Sequence, residues 1–268
     1  MRVLDIITTS QKQAKALEGK ARRVACVTGI PFHSRAARSV EELKSATGAA
    51  RVLVFEKNGP ALYTGEGKGH RFHLSMAHLR MLALSRGQGD YLVEAVGSEH
   101  LTSFLDCTAG LGGDSAVVSF AHPDCERAVA LEAVAPLAYI TNDGFRHFVH
   151  ESECVTAALR KIQVAAVRYE SFLRRCANDA FDVVYFDPMF STPVSVSPQF
   201  LSLRGFLEET PLEDAQLDEA LRVAKRRVVV KDRPFSALFR RRPPDIFVGG
   251  TYSRVTYGVY FSRGYEPD

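Results

Sequence analysis

The sequence predicts an α/β protein with a doubly wound, mostly parallel sheet behind a small N-terminal α/β domain. From residue 102 onward, apolar runs with strand character alternate with stretches of helical spacing, and glycine turns separate them. Such alternation is typical of parallel strands joined by helical crossovers. The polar, glycine-rich segment EGKGHR at 66–71 indicates a hinge. We therefore expect a small domain over residues 1–68 and a larger one over 69–268.

The composition is that of an ordinary globular protein. Hydrophobic residues make up 46% of the 268 residues and charged residues 24%. The longest apolar runs fall short of the ~20 residues that a membrane span needs, and the N-terminus lacks a signal-peptide pattern. The five cysteines form no Cys-x-x-Cys pair, and no His-Glu-x-x-His occurs. We expect a cytoplasmic protein with neither a disulfide framework nor a metal site.

In the small domain, the pattern predicts strands over 2–9 and 22–30 around a helix over 10–21. A second helix, SVEELKSATG at 39–48, starts at a serine cap and ends at a glycine. The run that follows contains Asn-Gly at 58–59, a strong hairpin signal.

In the large domain, the pattern predicts a series of helices and strands with a β-rich end. These are helices over 73–87 and 90–97, strand–helix units over 102–121 and 127–148, strands over 161–169 and 181–190, a helix over 217–226 with a strand behind it, and two antiparallel runs within 245–261.

The first strand-to-helix turn of the large domain, DCTAGLGGD at 106–114, is glycine-rich. Ligands of open α/β sheets bind at the carboxyl ends of strands, where glycines allow close backbone approach. A dinucleotide loop has Gly-x-Gly-x-x-Gly, but this loop has Gly110-x-Gly112-Gly113, with Asp106 four residues earlier. A carboxylate there suits an amino group and repels a pyrophosphate. The loop, with Ala109, therefore favours S-adenosylmethionine (SAM) over a nicotinamide dinucleotide.

Glu132 ends the next strand, AVALE. An acid at this position can accept hydrogen bonds from both hydroxyls of a ribose. The alternative is an acid that only stabilises the start of the following helix. The agreement with the glycine loop favours the ribose interpretation.

The strand VVYF runs into Asp187-Pro188-Met189-Phe190. A purine amino group is a poor nucleophile because its lone pair is delocalised into the ring. A carboxylate and a backbone carbonyl can accept its two hydrogens and stabilise the charge that develops on methylation. Pro188 would stiffen the turn, and Phe190 could stack on a flipped base. The alternative is a strand end with an Asx turn and a core phenylalanine.

Charge is unevenly distributed along the chain. Between Arg222 and Arg242 there are nine basic residues and one acid, a net charge of 9 − 1 = +8, although the whole chain carries only +3. A local basic patch favours a polyanion partner, and a solvated basic face is the alternative. The candidate RNA contacts are Lys231, Arg233, Arg240, Arg241 and Arg242, together with His78 and Arg80 on the helix that precedes the glycine loop.

The order of these motifs resembles class I SAM-dependent methyltransferases, which have a Rossmann-like sheet, in their Asp/Asn-Pro-Pro-Tyr/Phe group. Within that group the chain most resembles the bacterial family that makes N2-methylguanosine in small-subunit ribosomal RNA. The resemblance rests on MAHLR at 76–80, DCTAGLGGDS at 106–115, LEAVAPLAYITNDG at 131–144, DPMF at 187–190 and VVVKDRP at 228–234.

This resemblance implies SAM as cofactor and an RNA partner, either ribosomal RNA or the small subunit. It implies cofactor contacts at Gly113, Asp114, Glu132, Ala133, Arg168, Tyr169 and Asp187. The segment STPVSVSPQF at 191–200 departs from the family because it has no basic residue. Methylation of adenine N6, a non-catalytic cofactor- or RNA-binding module, and a nicotinamide dehydrogenase are the alternatives.

Overall fold

The computed structural model describes residues 4–65, 69–188 and 211–266. The N-terminal part forms a three-stranded sheet in the order β1–β2–β3 with two helices. β1 and β2 are parallel, whereas β2 and β3 form an antiparallel hairpin. These elements are β1 (Asp5–Thr9), α1 (Ala14–Thr28), α2 (Val40–Thr47), β2 (Arg51–Glu56) and β3 (Gly59–Tyr63).

The caps and the turn of this domain follow the sequence signals. Ser39 and Glu42 form a reciprocal capping box at the start of α2. Gly48 ends that helix with a φ of 70°, and Gly59 turns the hairpin with a φ of 99°. The predicted second helix and the predicted hairpin are therefore confirmed.

The predicted strand over 22–30 is wrong, because α1 continues to Thr28. The apolar residues Leu17, Ala21, Val24 and Ala25 pack into the core of the small sheet, and their spacing is that of one helix face. This burial outweighs the strand preference of the β-branched residues in the segment.

The large sheet has seven strands in the order β6-β5-β4-β7-β8-β10-β9, and only β10 runs antiparallel to its neighbours. The predicted doubly wound sheet is confirmed. Its elements and flanking helices are α3 (Ser75–Ser85), α4 (Tyr91–Val96), β4 (Ser103–Asp106), α5 (Gly113–Ala121), β5 (Arg127–Glu132), α6 (Ala135–His147), α7 (Glu153–Lys161), β6 (Ile162–Ala166), α8 (Tyr169–Leu173), β7 (Phe181–Phe186), α9 (Asp214–Val223), β8 (Ala224–Asp232), α10 (Ala237–Arg241), β9 (Ile246–Val248) and β10 (Thr256–Phe261).

Several boundaries differ from the prediction, and α7, α8 and α10 lie where no helix was predicted. The helix expected over 217–226 ends at Val223, where β8 begins, and β7 ends at Phe186 instead of reaching residue 190. Among the described residues, no helix is both long and apolar enough to cross a membrane.

Two apolar clusters, one containing Phe104 and Tyr185 and the other containing Leu105 and Phe186, cover opposite faces of the large sheet. Successive side chains of a strand point to opposite faces, which explains this division. A third cluster joins β1, β2 and α1 to α6 and to Leu111 of the glycine loop. The three-stranded sheet and α1 therefore pack beside the carboxyl edge of the large sheet.

Candidate active site

The glycine loop is fixed by Asp106, which lies at the end of β4 and is 1% exposed. One carboxylate oxygen accepts from the Ser115 hydroxyl at 2.5 Å and the other from the Thr108 backbone N–H at 3.0 Å. Burial raises the pKa of Asp106 to about 7, against the effect of these hydrogen bonds. Gly110 and Gly112 have φ values of 54° and 74°, so the loop turns sharply before α5.

Glu132 joins this loop to the end of β5. Its carboxylate accepts from the backbone N–H of Gly110 at 3.0 Å and from that of Val134 at 2.7 Å. The Thr141 hydroxyl of α6 donates to the Gly110 carbonyl at 2.7 Å. The predicted cofactor acid and the predicted glycine loop are therefore in direct contact.

The Asp187 turn lies beside the glycine loop because β7 and β4 are neighbours in the sheet. The backbone N–H of Asp187 donates to the Thr108 hydroxyl at 2.6 Å. The Asp187 side chain is 30% exposed, and it accepts from Lys231 of β8 at 2.7 Å. Pro188 follows and is partly exposed. Phe190, the predicted stacking residue, lies outside the described residues.

A buried ion network lies behind Asp187 and is centred on Asp114 in the first turn of α5. Asp114 accepts from Lys231 at 3.1 Å, from the Tyr185 hydroxyl at 2.7 Å and from Arg80. Arg80 also forms a two-pronged pair with Asp90 at 2.7 and 2.8 Å.

The ion network shifts the pKa values of its members. Burial alone would raise the pKa of Asp114, but Lys231 and Arg80 hold it well below its ordinary value. Burial alone would lower the pKa of Lys231, but its two carboxylate partners raise it. Burial and the negative charge of Asp114 raise the pKa of Asp187, and Lys231 opposes that rise.

This geometry places a glycine loop, a strand-end acid and an Asp-Pro turn at one edge of a parallel sheet. A model of a family of SAM-dependent methyltransferases matches residues 71–261, about seven-tenths of the chain. The chain belongs to the SAM-dependent methyltransferase family.

The chain is also similar to individual proteins over much of its length. The methyltransferase is 32% identical over 237 residues to the Bacillus subtilis protein YpiP, covering 88% of this chain and 91% of that one. It is 31% identical over 192 residues to "Ribosomal RNA small subunit methyltransferase J" of Coxiella burnetii, covering 70% of this chain and 71% of the relative. The solved structure of the SAM-dependent methyltransferase NGO1261 from Neisseria gonorrhoeae has a TM-score of 0.65 at 20% identity, covering 98% and 97%, and shows the same fold.

The residues of the methyltransferase fit SAM. The carboxylate of Glu132 is partly exposed and lies at the end of β5, where it contacts the glycine loop. Ala133 beside it is exposed and has only a methyl side chain, so it leaves room for a nucleoside. The positive φ of Gly110 turns the loop backbone around the same edge.

The other predicted cofactor residues lie on the same side of the sheet, with different surroundings. Arg168 caps α8 directly after β6 and pairs with Glu170 at 2.9 Å. Tyr169 packs edge-on against Phe186 at the end of β7. Asp106 has one oxygen bonded to the loop at Thr108 and the other to Ser115 of α5, so its direct contact with SAM stays a prediction.

The residues predicted to contact RNA do not form one group. Arg80 and Lys231 lie inside the ion network, and His78 lies 2.9 Å from the ring nitrogen of His150. Arg241 pairs with Glu213 and Asp214, and Arg242 pairs with Asp218, whereas Arg240 is exposed and Arg233 is partly exposed. Their contact with RNA stays a prediction.

Sequence reasoning missed Thr108, Ser115 and Tyr185. Tyr185 lies two positions before Asp187, which is the spacing that places two side chains on one strand face. Thr108 follows the strand-end acid by two positions, where hydroxyl residues commonly bond to nearby backbone. Among the described residues, no group of His, Cys, Asp and Glu side chains could hold a metal ion.

Proposed function

We propose that this methyltransferase transfers a methyl group from SAM to an exocyclic amino group of an RNA base in the cytoplasm. The proposed acceptor is guanine N2 of small-subunit ribosomal RNA. The observation that carries the proposal is the Asp187 carboxylate, which is held beside the glycine loop and keeps 30% exposure. The relatives named for small-subunit ribosomal RNA methylation, at 30–31% identity, support the substrate class.

The proposed reaction requires the protein mainly to orient the acceptor nitrogen and to stabilise the charge that develops on it. SAM supplies an electrophilic methyl group, so the acceptor nitrogen must be aimed at it with its lone pair available. The Asp187 carboxylate and the Pro188 carbonyl accept the two amino hydrogens and thereby orient the nitrogen. The N–C bond would form as the S–CH3 bond breaks, with S-adenosylhomocysteine as the leaving group. The fixed carboxylate would stabilise the positive charge that develops on the nitrogen until the nitrogen loses a proton to solvent. Phe190 stacks on the base in this proposal.

Each cofactor residue has a role in the proposal. Glu132 accepts from the ribose hydroxyls, and the loop from Ala109 to Gly113 lies against the amino-acid part of SAM. Asp114, Ala133, Arg168 and Tyr169 complete the contacts, and Asp106 holds the loop in shape through Ser115 and Thr108.

The test is transfer of tritiated methyl from SAM to ribosomal RNA and to small subunits, both from cells that lack this protein. Digestion to nucleosides should place the label in N2-methylguanosine. Asp187→Ala should lower transfer at saturating SAM by about 10²- to 10³-fold, and its binding of S-adenosylhomocysteine is measured in parallel to separate catalysis from the implied cofactor contact. Label in N6-methyladenosine would replace the base and keep the mechanism. Absence of label from both acceptors, despite cofactor binding, would contradict an RNA substrate.

A further inference from the structure

The basic patch that the sequence shows between residues 222 and 242 is largely neutralised in the fold. Six of its nine basic residues form ion pairs with carboxylates. These pairs are Arg222–Glu219, Arg226–Asp182, Arg227–Glu99, Lys231–Asp114 and –Asp187, Arg241–Glu213 and –Asp214, and Arg242–Asp218. The side chains of Arg226, Arg227 and Lys231 are at most 21% exposed, so these paired cations have little charge to offer a phosphate. The segment therefore presents less accessible charge than its sequence suggests.

A second basic segment has a different environment. Residues 10–38 contain seven Lys or Arg and one acid, a net charge of 7 − 1 = +6. Leu17, Ala21, Val24 and Ala25 form the packed face of α1. The opposite side carries Lys15, Arg22 and Arg23, and Lys12 lies in the short 3-10 turn before the helix. We call these four residues the α1 basic stripe.

All four residues of the stripe are exposed. Within the described part of the chain, only Arg22 has an acidic partner, Glu18 one helical turn earlier. Exposed i,i+4 pairs contribute little, so this partner is easily exchanged for a phosphate. Arg38 extends the stripe, because Gln11 beside Lys12 donates to the Arg38 carbonyl at 2.9 Å. The three α1 cations span about 12 Å along the helix axis, the length of a few consecutive phosphates.

The stripe has a fixed position relative to the active site. Lys20, on the same helix, pairs with Asp143 of α6 at 3.1 Å. The cluster that buries the other face of α1 includes Leu111 of the glycine loop and Val134 after Glu132. The helix that carries the stripe is therefore anchored to α6 and to the glycine loop at the carboxyl edge of the large sheet.

We propose that the α1 basic stripe is a phosphate-binding surface that docks the RNA substrate; this inference rests on the proposed function. RNA is favoured over an acidic protein because the cations of the stripe are spaced along a line. Gly19, which lies between them, has no side chain. Cations in such a row neutralise successive backbone phosphates, and binding then falls steeply with salt. The stripe would position RNA without reading its bases.

The test compares two triple variants of the full chain. The first is Lys12→Gln with Lys15→Gln and Arg23→Gln. The matched control, Arg174→Gln with Arg254→Gln and Arg263→Gln, removes the same charge from exposed positions of the catalytic domain. Binding of a fluorescein-labelled RNA stem-loop is measured by anisotropy over a range of salt concentrations, and binding of S-adenosylhomocysteine by calorimetry.

We expect the stripe variant to bind RNA about 10- to 100-fold more weakly at low salt, with the slope of log K against log salt reduced by about 2. Its affinity for S-adenosylhomocysteine should match that of the control. A Lys12→Arg, Lys15→Arg, Arg23→Lys variant should bind RNA like the unchanged protein.

Equal RNA binding by the stripe variant and the control would overturn the docking proposal, even if methyl transfer to RNA is observed. Loss of binding to an acidic protein, with RNA binding unchanged, would assign the stripe to that other partner. Failure of the unchanged protein to methylate any RNA would instead contradict the proposed function, and this outcome is separate from the comparison of the variants.

Discussion

The carboxylate of Asp187 lies 2.7 Å from Nζ of Lys231, and the same nitrogen lies 3.1 Å from Asp114. The ammonium group of Lys231 therefore joins the segment after β7 to the first turn of α5. Lys231 is 21% exposed, so this pair is shielded from solvent more than an ordinary surface ion pair. Lys231 thus acts as a positioning residue for Asp187.

Replacing Lys231 should change both rate and pH dependence. In Lys231→Gln the attraction that opposes the raised pKa of Asp187 is lost, so Asp187 stays protonated to higher pH. A protonated carboxyl accepts less well, and the acidic limb of the kcat profile should move to higher pH. We expect kcat to fall about 10- to 100-fold with the KM for SAM nearly unchanged. Lys231→Arg should recover part of the rate, and an unshifted acidic limb in Lys231→Gln would contradict this role.

Replacing Thr108 should loosen the catalytic turn. Thr108→Val keeps the shape of the side chain but leaves the Asp187 N–H without its acceptor, a loss of about 1–3 kcal/mol. Single-turnover methyl transfer should slow by about 5- to 100-fold. Thr108→Ser keeps the hydroxyl and serves as the matched control. Equal rates for the valine and serine variants would show that the hydrogen bond does not position Asp187.

Replacing Glu132 should weaken cofactor binding. Glu132→Ala removes the acceptor of the Gly110 N–H and the proposed acceptor of the ribose hydroxyls. Hydrogen bonds to a charged acceptor contribute about 1.5–3 kcal/mol each, so the Kd of S-adenosylhomocysteine should rise at least about 10-fold. Calorimetry measures this directly. Glu126→Gln, at an exposed position just before β5, is the control and should bind normally.

Replacing Asp106 should alter how stability depends on pH. The pKa of Asp106 is about 7 in the folded protein, whereas an unfolded Asp has about 3.9. Between these values the native state binds more protons, so the free energy of unfolding falls as pH rises towards 7. The amide of Asp106→Asn can still accept from the Thr108 N–H and donate to the Ser115 hydroxyl, but it does not titrate. The free energy of unfolding of this variant should therefore fall less as pH rises towards 7. Urea unfolding at several pH values between about 5 and 8 measures this dependence. The control variant Asp124→Asn, at an exposed position, should keep the pH dependence of the unchanged protein.

The sequence predicted the elements whose signals are local. The glycine loop, the Ser39 cap and the Asn58-Gly59 hairpin depend on neighbours in the chain, and the structure has each of them. The error at 22–30 arose because Val24 and Val27 favour strands locally, whereas the packing of Val24 against the small sheet decides in favour of a helix.

The sequence could not show which charged residues form ion pairs, because the partners are distant in the chain. The partners of Lys231 are 44 and 117 residues away, and the partner of Arg80 in the network is 34 residues away. Counting charges along the chain could not show that these cations are neutralised in the fold. The accessible charge on α1 became apparent only when pairs of residues distant in sequence were known.

Thr108 belongs to the cofactor loop, and its hydroxyl accepts from the backbone N–H of Asp187, where the acceptor base is proposed to bind. Together with Lys231, which bridges Asp187 and Asp114, this bond couples a displacement of either segment to the other. If a bound cofactor increases the affinity for the acceptor, a bound acceptor must increase the affinity for the cofactor by the same factor. If the acceptor binds at Asp187 as proposed, the two substrates occupy thermodynamically linked subsites, and Thr108→Val should weaken the synergy between their binding.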